Sequence, residues 1–280
     1  MLEPLLPLAE FLLRHPRVLV LTGAGISTAS GIPDYRNKDG VRRGKAPVQG
    51  PEFRRHDAVR RRYWARSMAG YPTLARAEPN AAHRALAQLG AAGQIGALMT
   101  QNVDGLHQQA GSFGVLELHG SIHNVICLDC HAAFSRAFVQ GQLIDANPGL
   151  ASSAEQAAQA APDGDAHLEP ASLADFNVPS CVHCGGMLKP DVVFFGDGVP
   201  AERTARALAH MDSADALLVI GSSLMVYSGF RFCRMAEQAG KPIAALNLGI
   251  TRADAMLALK VESCAEQVLP ALPALLDRLN

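Results

Sequence analysis

Apolar residues along this chain fall into two alternating patterns. Leu5, Leu6, Ala9, Leu12 and Leu13 recur at helical spacing and predict an opening helix that stops near His15-Pro16. Val18-Leu19-Val20-Leu21 follows as a continuous apolar run ending in Thr-Gly, the signature of a strand buried on both faces of a parallel sheet. Similar runs recur at Ile95 to Met99, Ala216 to Ile220 and Ile243 to Leu246, each leading into a polar or glycine-bearing turn. Between them Ala82/Ala85/Leu86/Leu89 and Phe230/Cys233/Arg234/Glu237 keep helical spacing, the second with a polar side. Alternating strands and helices predict an α/β protein, a Rossmann-like doubly wound parallel sheet with ligands at the carboxyl ends of its strands.

Two insertions interrupt that scheme. From about Asn37 to Tyr71 the apolar periodicity is weak, which predicts a flexible loop followed by a short helix around Ala58 to Met68. From about Ile122 to Pro190 lies a cysteine-bearing stretch whose middle is rich in Ala, Ser, Gln, Asp and Pro; a helix is expected over Ala151 to Ala161 and a turn at Ala161-Pro162-Asp163-Gly164. The expected division is a nucleotide-binding domain of residues 1–36, 72–121 and 191–280, a loop and helical part of a small domain at 37–71, and its metal-binding part, a zinc-ribbon/helical unit, at 122–190.

Composition adds one asymmetry. The formal net charge of −1 conceals eleven Lys/Arg against three acids between Arg36 and Arg66, where an anionic partner is to be expected. No run approaches the roughly 20 apolar residues needed to span a bilayer. The amino terminus lacks a basic region and is broken by Pro4 and Pro7, so it does not resemble a secretory signal, and a reducing cytoplasm is expected.

Cys127/Cys130 and Cys181/Cys184 are two Cys-x-x-Cys pairs. Each pair can bite one side of a tetrahedral ion, and four thiolates close a structural zinc site with no position for a reactive water. His131 and His183 stand near enough to substitute for a ligand, and Cys233 and Cys264 are left over. Gly23-Ala24-Gly25 after a buried strand suits a phosphate-binding turn, but Thr28 replaces the third glycine of the dehydrogenase fingerprint, and a plain strand-to-helix turn stays open. Thr100-Gln101-Asn102-Val103-Asp104 offers carboxamides and a carboxylate to a ribose or an amide, or else caps a helix. His119 is a candidate general base or a structural histidine.

Taken in order, Gly23-Ala24-Gly25-Ile26-Ser27, Gly31-Ile32-Pro33-Asp34-Tyr35-Arg36, Thr100-Gln101-Asn102-Val103-Asp104, Leu118-His119-Gly120, the four cysteines, Gly221-Ser222-Ser223-Leu224 and Asn247-Leu248-Gly249 resemble the sirtuins, NAD-dependent protein deacylases, over nearly the whole chain. Tyr35 stands where many members have Phe and Asp197 where many have Glu; these departures, with the segments 189–195 and 226–229, are most similar to the class II branch of bacterial and mitochondrial members.

The resemblance implies that NAD is consumed as a co-substrate. The acyl-lysine oxygen attacks the nicotinamide ribose, nicotinamide leaves, and the acyl group passes to the ribose 2′-hydroxyl. By position His119 is the base, Asn102 orients ribose or water, and Asp104 with the Val103 backbone holds the carboxamide. Gly23, Ala24, Gly25, Ser27, Gln101, Gly221, Ser222 and Ser223 surround the phosphates and adjoining ribose, while Asp34, Tyr35 and Arg36 begin the cofactor loop. Asn247, Leu248, Gly249 and Cys264 meet the adenosine. Val193, Phe194 and Phe195 line the acyl-lysine tunnel, and Tyr63 with Arg66 resembles the pair that binds acidic acyl groups, or is a solvated basic helix. One structural Zn2+, acylated protein substrates, a monomeric state, and no membrane or nucleic-acid partner complete the expectation. Mono-ADP-ribosyl transfer is the alternative chemistry; a zinc-ribbon nucleic-acid module and a dehydrogenase are weaker ones.

Overall fold

The computed structural model describes residues 5–43, 47–149 and 175–279. Among them are nine strands: β1 (Val18–Thr22), β2 (Ala97–Thr100), β3 (Leu116–Glu117), β4 (Gly120–Cys127), β5 (Ala133–Ser135), β6 (Leu188–Val192), β7 (Ala216–Ile220), β8 (Ile243–Leu246) and β9 (Leu259–Val261). Six form one sheet in the order β3-β2-β1-β7-β8-β9, with every pairing parallel. β5-β4-β6 make a separate antiparallel sheet. The large sheet has the doubly wound order, with its direction of winding reversed between β1 and β7.

All five residues of β1 are buried, and so are all of β7 and β8, because both faces of the sheet are covered. Val18 and Val20 join one apolar layer with the helices α1 (Leu5–Arg14) and α4 (Ala81–Ala91), whereas Leu19 and Leu21 join another with α7 (Ala201–Ser213) and α8 (Tyr227–Gln238). That split is the two-residue period of a strand. Each fully buried leucine contributes roughly 1.5–3 kcal/mol. Asn80 caps α4, its side chain accepting from the Ala82 and His83 amides.

The small sheet packs with α2 (Gly50–Arg55), α3 (Asp57–Ala75) and α6 (Arg136–Ala146) around Phe53, Tyr63, Trp64, Phe176 and Phe194. Arg136 is fully buried there, with its guanidinium 4.4 Å from the Tyr71 ring and 5.4 Å from that of Trp64. It donates to the Ser67 carbonyl at 3.2 Å and so ties α6 to α3. Burial pushes its pKa down to about 10.

Three local expectations change. α3 runs over 19 residues rather than 58–68, because from Tyr63 to Tyr71 it is buried on nearly every side and carries no clean apolar stripe. α2 precedes it and has no counterpart in the apolar pattern. On α8 the buried residues are Gly229, Phe232, Cys233 and Ala236, so the inward face is turned by about one residue from 230/233/234/237, and Arg234 and Glu237 are exposed. The helix expected at 151–161 and the turn at 161–164 lie outside the described residues. Among the described residues no helix is long and apolar enough to cross a membrane.

Candidate active site

Where β1 and β7 part, the loops that follow them come together. Gly23 N donates to the Ile220 carbonyl at 3.1 Å and Gly25 N to that of Gly221 at 2.8 Å. A Cβ on Gly23 would stand 2.7 Å from that of Ser222, and one on Gly25 2.8 Å from the Gly221 oxygen. Both glycines are therefore required by the approach of one loop to the other, and their amides are already bonded. The turn then enters a 3-10 helix, Ala24–Ser30, closed by Gly31 at φ 82°. These loops wall a cavity of about 620 Å³, within the range of small-molecule sites.

A polar network forms the floor. Ser27 Oγ donates to Asp104 Oδ2 at 2.7 Å, and Asn102 Nδ2 lies 3.1 Å from Ser27 Oγ and 3.2 Å from Asp104 Oδ2. The other carboxylate oxygen of Asp104 accepts from the Leu106 amide at 3.1 Å. All three side chains are buried, so their orientation is set by one another rather than by water. His123 Nε2 donates to the Asp104 carbonyl at 2.9 Å, and the Tyr71 hydroxyl lies 3.2 Å from the opposite ring nitrogen. Gln101 Nε2 donates to Ser222 Oγ at 2.7 Å and links the ends of β2 and β7.

His119 occupies the join between the sheets. Leu118 N donates to the Thr100 carbonyl in the large sheet, and Val193 N donates to the His119 carbonyl beside the small one, each at 2.8 Å. Gly120 follows at φ 82°, where a Cβ would collide with the Asp191 carbonyl. In the imidazole, Nδ1 lies 2.8 Å from the Gln101 carbonyl, which can only accept, so Nδ1 carries the proton. Nε2 is then the acceptor, and Ser228 Oγ donates to it at 2.7 Å. Burial pulls the pKa of His119 below its ordinary value; the Gln101 carbonyl opposes this and Arg203 adds to it. A neutral imidazole with its lone pair aimed into the cavity is poised to take a proton.

Of the residues singled out from the sequence, Gly23, Ala24, Gly25, Ser27, Asp34, Tyr35, Arg36, Gln101, Asn102, Val103, Asp104, His119, Val193, Phe194, Phe195, Gly221, Ser222, Ser223, Asn247 and Leu248 all line this one cavity. Gly249, Cys264, Tyr63 and Arg66 do not. A Cβ on Gly249 would overlap the Lys38 carbonyl, and Cys264 precedes the short helix α9 (Ala265–Val268). Tyr63 is buried behind the wall, its ring 5.0 Å from that of Phe194 and 5.5 Å from that of Phe53. Four basic residues of the charged stretch, Arg36, Lys38, Arg42 and Arg43, reach the cavity. Of the others, Arg54 pairs at 2.6 Å with Asp197, itself a wall residue, and Arg61 pairs with Asp57 at 2.6 Å. Asp34 is paired with Arg43 at 3.4 Å, and burial raises its pKa against that pairing. Sequence reasoning missed Ser228 and Arg231. A serine 109 positions from its histidine leaves no local signal.

The four cysteines meet away from this cavity. Cys127 and Cys184 sulfurs are 3.5 Å apart, those of Cys130 and Cys181 3.7 Å, and all four lie within 4.8 Å of one another. A tetrahedral Zn–S₄ centre has S···S edges of about 3.8 Å. The donor set and spacing therefore fit one Zn2+ held by thiolates alone. His183 instead stacks on Phe134, ring centroids 5.4 Å apart. Asp129 braces the two turns by accepting from the Met187 amide at 2.8 Å.

Residues 23–228 match the model of the Sir2 family. The chain is 54% identical over 253 residues to the NAD-dependent protein deacetylase 3 of Pseudomonas syringae pv. tomato, covering 90% of this chain and 89% of that one. It is likewise 54% identical over 262 residues to the NAD-dependent protein deacetylase of Bordetella bronchiseptica, covering 94% of each. Among solved structures, one from work on the mechanism and regulation of Sir2 enzymes superposes with a TM-score of 0.76 at 32% identity over 100% of both chains. A Sir2 in complex with an inhibitor, 2′-O-acetyl-ADP-ribose and a deacetylated p53 peptide superposes with a TM-score of 0.73 at 28% identity, over 98% of this chain and 96% of that one. With the doubly wound sheet, the four-cysteine centre and a family match over most of its length, the chain belongs to the Sir2 family.

Proposed function

We propose that this protein is an NAD-dependent protein-lysine deacylase, yielding nicotinamide, 2′-O-acyl-ADP-ribose and the free lysine side chain. The observation that carries this reading is the state of His119: neutral, its tautomer fixed by the Gln101 carbonyl, its Nε2 an acceptor held by the Ser228 hydroxyl in a cavity walled by the two glycine loops. Such a group suits deprotonation of a ribose hydroxyl, with Ser228 Oγ giving up its place to the substrate. The names of the curated relatives and the Sir2 complex with 2′-O-acetyl-ADP-ribose support the same chemistry.

NAD supplies a glycosidic bond whose departing group is nicotinamide. The chain's own residues then divide the work by position. Asn102, Asp104 and the Val103 backbone hold the carboxamide and the adjoining ribose in one orientation, and Ser27 keeps Asp104 fixed. Ala24, Ser222 and Ser223 meet the phosphates, and Asn247 the adenosine ribose. Val193, Phe194 and Phe195 offer a backbone edge and an apolar wall to the acyl-lysine, excluding water from the electrophilic sugar carbon. A site of four reduced thiols suits the cytoplasm.

Mass spectrometry of products from NAD and an acetyl-lysine peptide tests the reading. Nicotinamide, O-acetyl-ADP-ribose and deacetylated peptide are expected in equal amounts. ADP-ribosylated protein with the peptide left acetylated would replace it by mono-ADP-ribosyl transfer, and reduced cofactor by a dehydrogenase.

A further inference from the structure

Arg231 lines the reaction cavity from α8, one helical turn after Ser228. Its Nε and Nη2 are shielded from solvent, and no acceptor among the described residues lies within hydrogen-bond reach of them. Shielded guanidinium nitrogens left unpaired are costly, and their retention marks a place for an acceptor that arrives with a ligand. The Cζ atom stands 4.8 Å from the Phe232 ring, and Phe232 is itself fully buried, so the guanidinium lies over a fixed surface. Among the other arginines of the wall, Arg36 donates to the Gly40 carbonyl at 2.8 Å and Arg43 pairs with Asp34. Arg42 lies 5.6 Å over the Phe195 ring with its Nε also shielded and without an acceptor, whereas Arg231 has both Nε and Nη2 in that state.

Resting on the deacylase reading, we propose that Arg231 selects substrates by binding the carboxylate of an Asp or Glu side chain next to the acylated lysine. Two observations favour a carboxylate of the protein substrate over one at the end of the acyl chain. Arg231 belongs to a helix packed into the core of the large sheet, whereas the aromatic residues behind Phe194, which back the acyl tunnel, belong to that of the small sheet. Val193–Gly196 and Met225–Ser228 both line the cavity, and Arg231 follows the second stretch within α8, on the side from which a protein substrate rather than the acyl chain would be read. A planar guanidinium takes a carboxylate through two parallel hydrogen bonds.

The test uses the full chain, one acetyl-lysine peptide with Glu beside the modified lysine, the same peptide with Gln there, and a succinyl-lysine version of the Gln peptide. Binding is read by fluorescence anisotropy of labelled peptide and turnover by nicotinamide release. The Glu peptide is expected to bind and react about tenfold to a hundredfold better than the Gln peptide. Arg231→Gln should bring that ratio to about one, and Arg231→Lys should keep part of it. A ratio near one in the unmodified protein overturns the inference. So does a ratio that survives Arg231→Gln but falls with Arg42→Gln, or dependence on Arg231 confined to the succinyl peptide. If no peptide releases nicotinamide, the deacylase reading fails, while the anisotropy ratio still decides whether Arg231 reads the acid.

Discussion

At the scale of single residues, the assignment of a base rests on two hydrogen bonds of opposite sense to one ring. The Gln101 carbonyl accepts from His119 Nδ1 and Ser228 donates to Nε2, which leaves one lone pair and no ambiguity of tautomer. His119→Ala removes that lone pair while leaving the backbone bonds to Leu118 and Val193 intact. Product formation, followed by mass spectrometry, should fall about 10²- to 10⁴-fold with an unchanged melting curve; near-normal turnover would exclude His119 as the base. The sign of its pKa shift sets a second expectation. Burial favours the neutral ring, so the acid limb of kcat/KM against pH should lie below the ordinary histidine value of about 6.5. A limb at or above that value would mean that another group controls it.

At the scale of elements, the loops after β1 and β7 act as one piece. Gly25→Ala would press a methyl group against the Gly221 carbonyl at 2.8 Å, and neither loop has a flexible side chain there to yield. The variant should lose roughly 1–3 kcal/mol of stability by denaturant titration, with a raised KM for NAD. Unchanged values for both would show that the loops can separate freely. The cysteine turns invite a different measurement. One zinc per chain is expected by atomic emission, and a strong chelator should abolish the near-ultraviolet circular dichroism of the aromatic cluster around Trp64 together with activity, both returning with added zinc. Full activity without metal would detach the centre from the fold of the small sheet.

Much of this architecture was legible from strands buried on both faces, since Val18–Leu21, Ala216–Ile220 and Ile243–Leu246 read as uninterrupted apolar runs. α3 was legible only over 58–68 and not to its end at Ala75, because a helix with Tyr63, Trp64, Ala65 and Ser67–Tyr71 all buried has no polar side to mark its period. The glycine loops, the Asn102–Asp104 segment and the cysteines lie in short stretches of sequence and could be recognised there. Ser228 and Arg231 enter the site only through tertiary placement, on a helix whose inward face is turned from the one its spacing suggested.

At the scale of the whole molecule, stability should depend on pH through two buried histidines beneath the site. Burial holds His107 at about 3 and His83 at about 4, the latter partly opposed by Asp104. Their rings are 4.8 Å apart, and His107 Nε2 lies 2.9 Å from Thr22 Oγ1. In the unfolded chain both titrate near 6.5, so below that value the unfolded state binds protons that the folded state refuses. Stability is therefore complete above about pH 6.5 and is lost progressively toward pH 4 and 3, by several kcal/mol in order of magnitude. Urea midpoints should be level from pH 7.5 to about 6.5 and fall steadily from there to pH 4.5, and His107→Leu should flatten that fall even if it lowers the midpoint at neutral pH. An equal slope in the variant would place the proton uptake elsewhere.

The seam at Leu118-His119-Gly120 has a mechanical meaning as well. Leu118 is bonded to one sheet, the His119 carbonyl to a residue at the edge of the other, and Gly120 bends the chain between them. A point on an axis of rotation does not travel. If one sheet turns against the other to admit a protein chain, the imidazole stands at the fulcrum, and the walls can swing apart without carrying the proton acceptor away from the sugar it must reach.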